Sequence, residues 1–209
     1  MSAAVTTPDA VDQTDLPHVL RAIIRLGIFE SLAVLVIGLV ARFVSGAAAQ
    51  LLLLLLVSVA VLAVSFLPGL WTRARTIEGI AGAAGIGLGA TVVFLIVDVA
   101  LFQPFGLYTH RWRDIGGGSN WWYHPVWWMV GTFLPWFGAW ILANQADRHG
   151  RPNPATAVGS VLVGAAVATI VGVLIHVPGA GWNVGTYGVA FLPGLVLATI
   201  ASGLGAHRK

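Results

Sequence analysis

Six apolar stretches, each long enough to cross a lipid bilayer as a helix, constrain this chain more than any other feature. They lie near residues 23–43, 47–67, 77–101, 126–146, 156–177 and 187–205, each bounded by a charge, a proline or a cluster of glycines. A bilayer core takes about 20 apolar residues per helix. Of the 209 residues, 57% are hydrophobic and 9% are charged. A soluble domain carries roughly 25% charged residues, so this chain cannot cover a water-facing surface. The expected fold class is all-α: a polytopic integral membrane protein, a bundle of about six transmembrane helices. The connections are about 3, 9, 24, 9 and 9 residues long, which makes every consecutive pair an antiparallel neighbour by default.

Lysine and arginine set the orientation. With the N-terminus cytoplasmic, the inner face holds Arg21, Arg25, Arg73, Arg75, Arg148, Arg151, Arg208 and Lys209. The outer face then holds Arg42, Arg111 and Arg113. That imbalance places both termini in the cytoplasm and turns the long connection between helices 3 and 4 outward. Basic residues at span ends also explain the net charge of +3 as topology, with no nucleic acid as partner. Residues 1–17 are polar, mildly acidic and without a basic n-region, so they are not a secretory signal peptide. They are expected as a disordered cytoplasmic tail ahead of a single six-helix transmembrane domain, residues 18–209, in the cell (cytoplasmic) membrane. The absence of cysteine removes disulfides, thiolate metal sites and cysteine nucleophiles.

Within the spans a few residues stand out. Helix 1 carries Glu30, placed about two turns inside the inner boundary, where an ionisable group is costly unless paired, protonated or near water. Arg25 or Glu78 would be its partner, and snorkelling to the interface is the plainer account. Helix 2, with its Leu51–Leu56 run, reads as a lipid-facing wall. Ala81, Gly85 and Gly89 on helix 3, and Ser160, Gly164, Ala168 and Gly172 on helix 5, recur every four residues. Small residues at that spacing let backbones approach, so helices 3 and 5 are expected as inner helices, packed against each other. Helix 4 is loaded with Trp127, Trp128, Trp136 and Trp140, and Pro135 should kink it. Its rings form either an aromatic belt or a flat wall for a planar ligand. FLPGL occurs at 66–70 and 191–195, but the two copies fall at different depths, so no true repeat is read from it.

The stretch from Asp98 to Trp140 holds the long polar connection and most of the candidate chemistry. His110, His124 and His176 fall at the outer end of the spans with Asp98 about one turn inside. Three imidazoles and a carboxylate suffice chemically for zinc, copper or iron. No pair shares adjacent helical turns, so a metal ion is a candidate cofactor without motif support, and hydrogen bonding at the interface is the plainer role. Asp98 near the end of a helix is disfavoured by the dipole and by lipid. It needs a cation, a proton or a donor, which Arg111, Arg113 or a histidine would supply. The two arginines beside Gly116–Gly118 form a cradle for a phosphate, carboxylate or sulfate.

The candidate site is therefore Asp98, His110 and His124 as acid or base groups. Arg111, Arg113, Trp121, Trp122, Trp128 and Asn183 are expected to hold a substrate, and His110, His124, His176 and Asp98 a metal. The ligand would be apolar or anionic and lipid-like, or a metal ion, and the sequence fixes no reaction. No nucleophile elbow, phosphate loop or Walker lysine is present. Two other classes fit the same chain. One is a non-catalytic subunit or anchor of a larger membrane complex or homo-oligomer; the other is a small transporter or channel with Glu30 and Asp98 on its path.

Overall fold

The computed structural model describes residues 12–108, 123–146 and 151–206, with backbone alone for 123–126 and 206. It contains six long helices: α1 (Leu16–Phe43), α2 (Gly46–Trp71), α3 (Ile77–Val97), α4 (Tyr123–Asn144), α5 (Pro154–Leu174) and α6 (Val184–Ala206). A π-helical turn, Asp98–Phe102, continues α3. Among the described residues there is no strand. Among the described residues five helices, α1, α2, α3 with its π-turn, α5 and α6, are long and apolar enough to cross a membrane. The protein is a multi-pass helical membrane protein.

The sequence places six such spans, and α4 is not among the five. α4 packs against α3, α2 and α6. Gly131, Leu134, Pro135, Gly138, Ala139, Ile141 and Leu142 are buried along it. Its Trp128, Met129 and Trp136 remain exposed.

α1 begins at Leu16, seven residues before its apolar stretch. Asp15 caps it by accepting a hydrogen bond from His18 N, and Pro17 sits in the first turn, where its missing N–H costs nothing. Arg21 and Arg25 are exposed, and arginine stems can lie along a helix while their heads reach water. They do not end the helix. Residues 1–11 of the expected tail lie outside the described residues. The Asp12–Asp15 segment is tied to the α2–α3 turn. The Asp12 carboxylate accepts from Arg75 N, Thr76 N and Gly79 N, and Gln13 N donates to the Thr72 carbonyl at 2.8 Å. That carboxylate satisfies backbone donors that the start of α3 would otherwise leave open.

The neighbour relations differ from the sequential default. α1 packs chiefly on α3, α2 on α4, and α5 on α6, while the consecutive α4 and α5 touch little. α3 and α5 are not packed together as expected, because α5 sits at the edge of the bundle with α6 as its main support. Of the expected small-residue stripe on α3, Gly89 meets α1, where a Cβ would lie 2.7 Å from Ile23 Cδ1, but the other two members do not pack. Ala81 and Gly85 are exposed, and a Cβ built on Gly85 would meet nothing within 4 Å. The buried stripe is Ala83, Gly87, Ala90 and Phe94, at true helical spacing. A Cβ on Gly87 would lie 2.2 Å from the Gly131 carbonyl and from Pro135 Cγ of α4. One on Gly138 would lie 1.9 Å from the Ser65 carbonyl of α2. On α5, Gly164 does meet a neighbour, the Gly194 backbone of α6, while Gly172 faces open space. Glycine is required at these crossings because backbone touches backbone.

α2 is only partly a lipid-facing wall. Leu51, Leu52, Leu54 and Leu55 are exposed, but Leu53 is 1% exposed and belongs to a core with Val34, Ile37, Phe94 and Leu107.

Candidate functional site

The Asp98 end of α3 is shaped by the π-turn. Gln103 N donates to the Asp98 carbonyl across five residues at 2.9 Å. This wider turn stacks residue 103 over residue 98, so the Gln103 side-chain amide reaches Asp98 Oδ2 at 2.6 Å. The chain then reverses through Pro104 and Gly106, the latter at φ +63°, a left-handed conformation that glycine adopts freely. The reversal returns Tyr108, whose hydroxyl donates to Asp98 Oδ1. Asp98 is 0% exposed. Among the described residues its carboxylate is thus held by two neutral donors close in sequence; Arg111 and Arg113, expected to reach it, lie outside the described residues. π-turns of this kind often mark functional positions.

The same reversal builds a groove against the end of α1. Gly38 admits Leu107, since a Cβ at Gly38 would lie 2.7 Å from Leu107 Cγ. Arg42 donates from Nη1 to the Gly106 carbonyl at 2.9 Å, and its guanidinium lies 5.8 Å from the Phe43 ring centre. Leu35, Leu39 and Phe43 of α1 form one side of an open groove of about 390 Å³. Leu101, Phe102, Phe105 and Leu107 form the other, and among the described residues Arg42 is the one charged residue lining it. The lining combines an apolar bed with one cation, and one of its guanidinium N–H groups is taken by the loop itself.

The sequence-derived candidates are placed as follows. His110, Arg111, Arg113, Trp121 and Trp122 lie outside the described residues. His124 falls in the first turn of α4, its side chain not described. Trp128 is 48% exposed on α4, and Phe133, Trp136 and Phe137 stack along the same helix with ring centres 5.8 to 6.0 Å apart. Asn183 caps the start of α6, its Oδ1 accepting from Thr186 N at 2.9 Å. His176 is exposed and has φ 56°, the left-handed residue that ends α5: its N–H donates to Val173 and Val177 N–H to the Gly172 carbonyl. Of the four expected metal ligands, the described side chains are Asp98 and His176. Among the described residues no cluster of three or more histidine or acidic groups occurs.

Reading the residues alone missed Gln103, Tyr108 and Gly38, and took Arg42 for topology alone. The Pro104–Gly106 pair just past the expected end of helix 3 was the available signal, because it forces a reversal there. Nothing in residue spacing tells which side chain the reversal brings back to Asp98.

Glu30 also differs in placement. It is 7% exposed, and its Oε2 has no hydrogen-bond partner. Arg25 is exposed and Glu78 shares a hydrogen bond with Thr76, so the expected pairing with either is not what holds it. No family model, curated protein or solved structure matches this chain.

Proposed function

We propose that this multi-pass membrane protein binds an anionic, lipid-like molecule at the Asp98 end of its bundle, the end that the arginine and lysine distribution turns outward. The observation that carries the reading is the groove between α1 and the π-turn: an apolar bed with Arg42 as its cation among the described residues. Its volume of about 390 Å³ lies within the roughly 300–1,000 Å³ of small-molecule sites. An acyl chain would lie along Leu35, Leu39 and Leu101, and a phosphate or carboxylate would take the remaining N–H donors of Arg42. Asp98 acts here as a positioning residue, fixing the loop that forms one groove wall. Arg111 and Arg113 follow Tyr108 closely in the chain and are the further cations of this reading. Trp121, Trp122 and Trp128 supply additional apolar wall.

This arrangement favours a lipid-like ligand over a metal. Both Asp98 oxygens accept hydrogen bonds, and His176 sits exposed at the end of α5. The test is retention of anionic against zwitterionic phospholipid by the full chain in mild detergent, read by native mass spectrometry. The protein should retain the anionic lipid preferentially. Arg42→Gln should weaken that retention by about tenfold, since a hydrogen bond to a charged group contributes roughly 1.5–3 kcal/mol. Equal retention of both lipids, unchanged by Arg42→Gln, would leave the structural-subunit reading in its place.

A further inference from the structure

Glu30 lies at mid-depth by the register of three helices. It is 14 residues from the start of α1 and 13 from its end, about 20 Å from each at 1.5 Å per residue. On one side of it, Leu26 joins a core with Ile86 and Ala90 of α3 and Val64 of α2. On the other, Val34 joins a core with Phe94 of α3 and Leu53 and Val57 of α2. Glu30 is on the same buried stripe, between these two apolar layers, so it is deeper than two turns inside a boundary.

Among the described residues no ionisable group accompanies it there. α2 contains none along Gly46–Trp71. α3 and its π-turn contain two, each at an end: Glu78, hydrogen-bonded to Thr76, and Asp98, held by Gln103 and Tyr108. On α1 itself Arg21, Arg25 and Arg42 are exposed and lie toward the two ends. The neighbouring Ser31 hydroxyl is spent on the Gly27 carbonyl at 2.8 Å. A carboxylate in this position has neither a counter-charge nor a donor for Oε2, and ionisable groups kept at such depth mark proton or ion paths.

We propose that Glu30 is a membrane-embedded proton-binding site. Its side chain is held as the carboxylic acid between α1, α2 and α3, and it exchanges that proton with base in the aqueous phase, returning to the acid on reprotonation. The site is separate from the lipid groove and stands or falls without it.

The chain contains two glutamates, Glu30 and Glu78, so a glutamate label reports on these two alone. The full protein is prepared with ¹³C-carboxyl glutamate, reconstituted in liposomes, and followed by infrared difference spectroscopy. A labelled carboxylic-acid carbonyl band is expected at neutral pH. It should shift on exchange into D₂O and disappear on alkalinisation. Glu30→Gln should remove it, whereas Glu78→Gln and Asp98→Asn should leave it. Absence of a labelled acid band at neutral pH would overturn the proposal, since Glu30 would then be ionised. A band indifferent to both D₂O and alkali would also overturn it, as a sealed structural acid.

Discussion

Asp98 receives hydrogen bonds from Gln103 and Tyr108, residues five and ten positions further along the chain, so it closes a short loop and fixes the wall of the groove. Removing the Tyr108 hydroxyl leaves a buried carboxylate with one donor fewer. Tyr108→Phe should destabilise the fold by roughly 1.5–3 kcal/mol. In a double-mutant cycle with Asp98→Asn the two changes should be coupled by about 0.5–3 kcal/mol, measured by unfolding in detergent. Strict additivity would show that the hydroxyl and the carboxylate act independently. His176 offers a sharper discrimination. A non-glycine residue in the left-handed region costs roughly 1–2 kcal/mol, so His176→Gly should raise the melting temperature while lipid retention stays unchanged. A loss of ligand or metal binding in that variant would return His176 to the site.

At the scale of elements, the bundle depends on crossings where a backbone carbonyl takes the space of a side chain. Gly138 of α4 faces the Ser65 carbonyl of α2 at a distance that no Cβ tolerates. Gly138→Ala should therefore separate α2 and α4 at a cost of about 1–3 kcal/mol. Gly85→Ala, in open space on α3, should be neutral or stabilising by up to about 1 kcal/mol. Leu53→Ala should cost about 2–5 kcal/mol, because the residue is buried against α1 and α3. Thermal unfolding of the three variants in one detergent tests the assignment of faces. Equal shifts would mean that the α3 and α2 faces are misassigned.

For the whole molecule, the antiparallel path brings the end of α1, the π-turn and the start of α6 together, and Val184 joins Phe102 and Leu107 in one cluster. The groove and Glu30 thus occupy different levels of one bundle, at its Arg42 end and at its middle. The distribution of basic residues predicts that a reporter fused after Lys209 remains cytoplasmic and that one inserted near Gly117 is exported. A cytoplasmic Gly117 reporter would invert the orientation and move the groove to the inner leaflet.

The sequence by itself determined the class, the helical secondary structure and the approximate spans, because transfer of apolar residues into lipid depends on composition along the chain and little on neighbours. It also marked Asp98 and Glu30 as residues that a membrane would not accept without reason. It could not determine which helices touch. In lipid no hydrophobic difference separates a helix-facing from a lipid-facing leucine, so Leu53 and Leu54 read alike although one is buried and the other exposed. Gly85 and Gly87 likewise read alike until the position of α4 decides which one meets a backbone. The partners of Asp98 were hidden for a related reason: one extra residue in a single helical turn set which side chains returned to it.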